Sequence, residues 1–107
     1  MMRLTDLKPT LLKLDEENKL VETHDYAEAV ALTFNCPKCC GDEETLHGCT
    51  ICRDARMPEW IKGPRWTWEG DGIHNLTTNP SIRVKLTTPD FNCEAHFYIR
   101  NGEIVMA

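Results

Sequence analysis

The chain has 107 residues, with 12 Lys and Arg against 17 Asp and Glu, giving a formal charge of −5. Hydrophobic residues make up 41% and charged residues 27%, the balance of one ordinary globular domain rather than a disordered chain. These figures exclude a strongly basic nucleic-acid coat, a multidomain assembly and a large enzyme with a deep apolar cofactor cavity. Six cysteines in so short a chain need a chemical explanation.

Taken in chain order, the amino terminus is broken by Arg3, Asp6, Lys8 and Lys13, so it lacks the apolar run of a secretory signal. No segment approaches the roughly 20 apolar residues that span a bilayer. A soluble, cytoplasmic protein is expected, without membrane association. Leu11, Leu12, Leu14, Leu20 and Val21 flank the polar group Asp15-Glu16-Glu17-Asn18-Lys19, which reads as a hairpin with a short helix as the competing assignment. Val30, Leu32 and Phe34 share one face at a spacing of two, Trp66 and Trp68 share a face across Thr67, and Ile82, Val84 and Leu86 alternate with Ser81, Arg83 and Lys85. Phe97 and Ile99 continue the period of two that marks half-buried strands. Asn101-Gly102, both tolerant of positive φ, predicts a tight hairpin turn into Glu103–Met106. The expected fold is mainly β: one small antiparallel domain over residues 1–107.

Between Cys36 and Gly63 no period is visible, yet five of the six cysteines lie there. An irregular stretch of that length needs something to pin it, and spaced thiols in a reducing compartment more often hold metal than form disulfides. Cys36-Pro37-Lys38-Cys39 and Cys49-Thr50-Ile51-Cys52 are C-x-x-C pairs, and Cys93-Glu94-Ala95-His96 is a C-x-x-H pair. Such spacing suits tetrahedral zinc. Three pairings are open: Cys36 and Cys39 with Cys49 and Cys52; Cys36 and Cys39 with Cys93 and His96; or two ions, with Cys40, His47, Cys49 and Cys52 completing the second. Each arrangement saturates the ion with protein ligands, so the expected zinc is structural, one ion or two. H-E-x-x-H, H-x-E, a Rieske pattern and a phosphate-binding glycine loop are all missing.

Arg53, Arg56, Lys62 and Arg65 interleave with Trp60, Trp66 and Trp68. Cations with aromatics can bind nucleic acid, but the net charge opposes a polyanion. The preferred reading puts Trp66 and Trp68 in the core, with Trp60 as an exposed anchor for a protein partner. His24, His47 and His74 read as surface or loop residues, and Asp42-Glu43-Glu44 as solvated loop.

Four segments together carry a resemblance: Phe34-Asn35-Cys36-Pro37-Lys38-Cys39-Cys40-Gly41, Trp66-Thr67-Trp68-Glu69-Gly70-Asp71, Thr78-Asn79-Pro80-Ser81-Ile82, and Cys93 through Ile104. They resemble a family of small uncharacterised zinc-binding domains from phages and bacteria, some encoded beside bacterial ubiquitin-like conjugation genes. The pattern runs from a CPxCG-like knuckle through W-x-x-x-G-D and P-S-I to C-x-x-H-F-x-I-x-x-G, and it touches about two thirds of the chain. The resemblance implies Cys36, Cys39, Cys93 and His96 as the family's metal site; Cys49 and Cys52 stand outside it. The resulting expectation is a non-catalytic protein-interaction module with structural zinc, of phage origin, with no catalytic residues. The alternative is a zinc-dependent nucleic-acid binder using the 53–68 segment.

Overall fold

The computed structural model describes residues 2–38, 48–54, 63–87, 89 and 92–107. Nine strands follow in order: β1 (Thr10–Leu14), β2 (Leu20–Thr23), β3 (Ala31–Asn35), β4 (Gly48–Cys52), β5 (Thr67–Glu69), β6 (Thr77–Asn79), β7 (Ile82–Thr87), β8 (Asn92–Arg100) and β9 (Glu103–Met106). Two 3-10 turns, Leu4–Leu7 and Ile73–Asn75, complete the described secondary structure. Among the described residues no helix is long and apolar enough to cross a membrane.

The strands form three sheets, ordered β2-β1-β3-β4, β5-β6 and β7-β8-β9, with every strand pair antiparallel. The fold is mainly β, as the alternating apolar pattern requires. At Asp15–Lys19 the hairpin prevails over the helix: the Asp15 carboxylate accepts the amides of Glu17 and Lys19 at 2.8 and 2.9 Å, and Asn18 takes φ 62°. An Asx-type turn satisfies locally the donors a helix would have used. At the other end, Asn101 and Gly102 adopt φ 50° and 76°, which matches the twist of the β8–β9 hairpin.

The interior lies between the four-stranded and three-stranded sheets. Leu32 and Phe34 of β3, Ile51 of β4, Ile82 of β7 and Phe97 and Ile99 of β8 are all at most 2% exposed. Phe34 meets Phe97 edge-on, with ring centroids 6.1 Å apart and planes at 76°, a geometry that suits the ring quadrupoles. Trp66 and Trp68 pack against this core, as expected.

The stretch after Cys36 is less irregular than its sequence suggests. Gly48–Cys52 forms β4 and pairs with β3 over five residues, from Ala31↔Cys52 to Asn35↔Gly48. The reason is legible afterwards: Cys49 and Ile51 are buried while Gly48 and Thr50 are exposed, a period of two written with cysteine as the small apolar residue.

Candidate active site

β6 ends at Asn79, the cis Asn79–Pro80 bond turns the chain, and Ser81 follows immediately before β7. Trp66 anchors this corner by donating its indole N–H to the Ser81 carbonyl at 3.3 Å. β8 runs antiparallel to β7 with Ile82 opposite Phe97 and Arg83 opposite His96. Along β8 the residues Cys93, Ala95, Phe97 and Ile99 are buried, whereas Glu94, His96, Tyr98 and Arg100 face outward. His96 therefore lies on the outer face beside Ser81, and its Nε2 is 2.8 Å from Ser81 Oγ. Both side chains are half-buried. Ser81 is the only serine of the chain.

The outer face continues along the strand. The His96 ring stands 6.3 Å from that of Tyr98 at 32°, and the Arg100 guanidinium lies 4.5 Å over the Tyr98 ring. The His96 carbonyl accepts the Ala107 amide at 2.9 Å, holding this part of β8 in its ladder. Ion pairs among the described residues join Lys13 to Glu28, Lys19 to Glu17 and Arg83 to Glu94, and none involves His96. The arrangement is a serine–histidine dyad, with a hydroxyl and an imidazole at the distance proton transfer requires.

The expected zinc ligands are distributed differently. Cys36 and Cys93 come together in the core, Sγ to Sγ at 3.7 Å. Cys93 and His96, three residues apart on an extended strand, point to opposite faces, and the structure does not bring them to one point. The same parity separates Cys49, packed in the main core, from Cys52, which packs against Val30 and Ala31 on the other side of the sheet. Burial, and then the neighbouring Cys36, pushes the Cys49 thiol up to about 12. Burial also raises Cys52, with Arg65 opposing. Among the described residues there is no cluster of three or more metal-binding side chains; Cys39, Cys40 and His47 lie outside them.

In the basic segment, the Arg53 guanidinium sits 5.1 Å from the ring centroids of both Tyr26 and Trp68. It also donates to the Tyr26 and Ala29 carbonyls at 3.2 and 3.4 Å, so this arginine is committed to the fold. Arg65 is half-buried, and Trp60, Arg56 and Lys62 lie outside the described residues.

Ser81 is the candidate residue not singled out from sequence, where it stands as a polar position alternating with Ile82 and as one member of the P-S-I segment. Two signals could have raised it: it is the sole serine, and it sits in the P-S-I segment of the family pattern whose other end carries His96. No curated protein and no solved structure matches the chain. Over residues 5–107 the chain matches the family model described as bacterial ubiquitination-like system serine protease (BubE), and it belongs to that family.

Proposed function

We propose that this protein is a serine-dependent peptidase acting within a bacterial ubiquitination-like system, with Ser81 as nucleophile and His96 as general base and acid. The observation that carries the reading is the 2.8 Å contact between the sole serine and a histidine on an outward-facing strand surface. The family's own description as a serine protease supports it. With the imidazole neutral, Nε2 takes the Ser81 hydroxyl proton as Oγ attacks the scissile carbonyl carbon. The tetrahedral adduct collapses as the same proton passes to the leaving nitrogen, releasing the amine and leaving an ester on Ser81. Water then attacks that ester, gives its proton to Nε2, and the acid leaves as Ser81 recovers its hydrogen. The Trp66 bond to the Ser81 carbonyl holds the main chain at the nucleophile, which limits the loss of orientation that would slow attack.

The test is covalent labelling with a fluorophosphonate followed by peptide mass spectrometry. Modification at Ser81, lost in Ser81→Ala and strongly slowed in His96→Ala, supports the dyad. Undiminished labelling of Ser81→Ala would overturn it by placing the reactive group elsewhere, and an unlabelled wild type would overturn it in favour of the non-catalytic interaction module.

A structural zinc is a second proposal and is compatible with the first. Its support is the Cys36–Cys93 contact, since two thiols at that separation suit two corners of a thiolate-rich tetrahedron. Cys39, two residues beyond Pro37, is the natural third ligand. Elemental analysis of protein purified without added metal should give one zinc per chain, lost in Cys93→Ser. Metal-free protein of full stability would remove this proposal and leave the dyad untouched.

A further inference from the structure

Ser81 stands at the start of a strand whose far edge meets no other strand among the described residues. β7 is the outer strand of the sheet β7-β8-β9, and the hydrogen bonds of β8 fix the direction of its main-chain groups. The Ala107 amide bonds the His96 carbonyl, so His96 turns its peptide groups toward β9. Peptide groups alternate along an antiparallel strand; Ala95 and Phe97 therefore turn theirs toward β7. Through the register, Val84 and Ile82 are the residues bonded to β8, and Leu86 follows opposite Cys93. Arg83, Lys85 and Thr87 consequently direct their N–H and C=O groups away from β8, and the described residues place no strand against them.

The two edges of this sheet are treated differently. The chain covers β9 with its own amino-terminal residues: Arg3 bridges Glu103, the Leu4 amide bonds Gly102 O at 2.9 Å, and Ile104 bonds Met2 O at 2.9 Å. β7 receives no such cover from the described residues, although it is the strand that leads out of the nucleophile. Its Arg83 and Lys85 side chains are exposed and stand on the outer face with the dyad. Charged side chains can themselves discourage unwanted pairing at an edge. What distinguishes this edge is that its row of peptide groups, which no strand among the described residues pairs, begins two residues from Ser81.

We propose that the open edge of β7 is the substrate-docking strand, which takes the acyl side of the scissile bond as an extended peptide added to the sheet. This inference rests on the Ser81–His96 reading and deepens it by naming the substrate class: a protein segment able to extend, recognised mainly through its main chain. The acyl side is assigned because it alone stays attached to Ser81 through both chemical steps, so pairing there assists acylation and deacylation alike. At about 3.3 Å per residue, Ser81 to Thr87 covers about 20 Å, room for about six substrate residues. Strand addition supplies affinity through peptide hydrogen bonds; proline opposite Arg83 or Lys85 would break them, and a basic segment would meet their like charge.

The experiment compares two probes with one warhead, acetyl-alanyl and acetyl-hexa-alanyl diphenyl phosphonate, on the whole protein. The longer probe is expected to modify Ser81 at least tenfold faster. In its adduct, the amides of Arg83, Lys85 and Thr87 should exchange with deuterium at least tenfold more slowly than in the short adduct. Lys85→Pro removes one outward N–H without touching a bond to β8, and should abolish the length advantage. If that variant misfolds and loses the short-probe rate too, exchange in the wild-type adducts decides. Equal rates for the two probes, or equal exchange in the two adducts, overturn the docking strand and leave the dyad standing. Failure of both probes to modify Ser81 defeats the dyad, and the docking strand with it.

Discussion

Replacing His96 by alanine separates the dyad from the zinc ligand set that the C-x-x-H spacing suggests. In the dyad, His96 is the one base at Ser81 Oγ among the described residues, at 2.8 Å, so its removal should lower kcat/KM by the 10²–10⁴ typical of a positioned general base. That is about 3–5 kcal/mol of transition-state stabilisation, at 1.36 kcal/mol per tenfold. The cost to folding should be far smaller. The bond joins two half-buried side chains on the outer face, where a net contribution of about 0.5–1.5 kcal/mol is expected against a total stability of about 5–15 kcal/mol. Activity should therefore collapse while the unfolding transition moves by a few degrees. The assay is hydrolysis of a p-nitrophenyl ester, run beside thermal unfolding and zinc analysis of the same preparation. Ser81→Ala with His96→Ala should be no worse than Ser81→Ala alone, because two groups that act in one proton transfer cannot each be lost separately. Activity within threefold of wild type in His96→Ala, or losses that multiply in the double variant, would refute the dyad. Loss of zinc together with global unfolding would instead place His96 in a metal site.

Three further outcomes follow from the packing and the turns. Phe97→Ala removes a fully buried ring that meets Phe34 edge-on across the two sheets, and should cost about 3–5 kcal/mol in urea unfolding. Gly102→Ala should lower the melting temperature by several degrees or prevent folding. The residue has φ +76° and an added Cβ would run into the His74 carbonyl oxygen, which side-chain repacking cannot relieve. At Glu28, the Thr23 hydroxyl and then Lys13 hold the carboxyl below its ordinary value of 4.5. A depressed carboxyl stabilises the fold above its unfolded pKa, and that contribution fades as pH falls through the folded one; Thr23→Ala should raise the Glu28 midpoint in an NMR titration and flatten the acid limb of the stability profile.

Much of the architecture was legible because strand periodicity is a local property. Ile82, Val84 and Leu86, and Phe97 with Ile99, mark β7 and β8 directly, and Asn101-Gly102 marks their continuation into β9. The resemblance to domains encoded beside ubiquitin-like conjugation genes agrees with the family found over residues 5–107. What sequence order could not carry was pairing across distance. Ser81 and His96 meet at 2.8 Å over 15 residues, a contact that depends on the β7–β8 register rather than on any spacing along the chain.

The cysteine spacing shows why that register matters. On a turn, C-x-x-C or C-x-x-H aims both side chains at one ion; on a strand, the same three-residue step must send them to opposite faces. The sequence marked only Phe97 and Ile99 as strand; in the structure β8 extends back to Asn92, so Cys93 joins the buried alternation with Ala95, Phe97 and Ile99 and His96 emerges on the other side. Followed one step further, that parity divides β8 between two chemistries. Its inner face delivers a thiol to Cys36 in the core, and its outer face delivers an imidazole to the one serine in the chain. A zinc held at Cys36 and Cys93 would then act on catalysis only by fixing the strand on which His96 is mounted. Metal removal should accordingly loosen β8 and lower turnover of both long and short substrates together, unlike Lys85→Pro, which should abolish the advantage of the long ones.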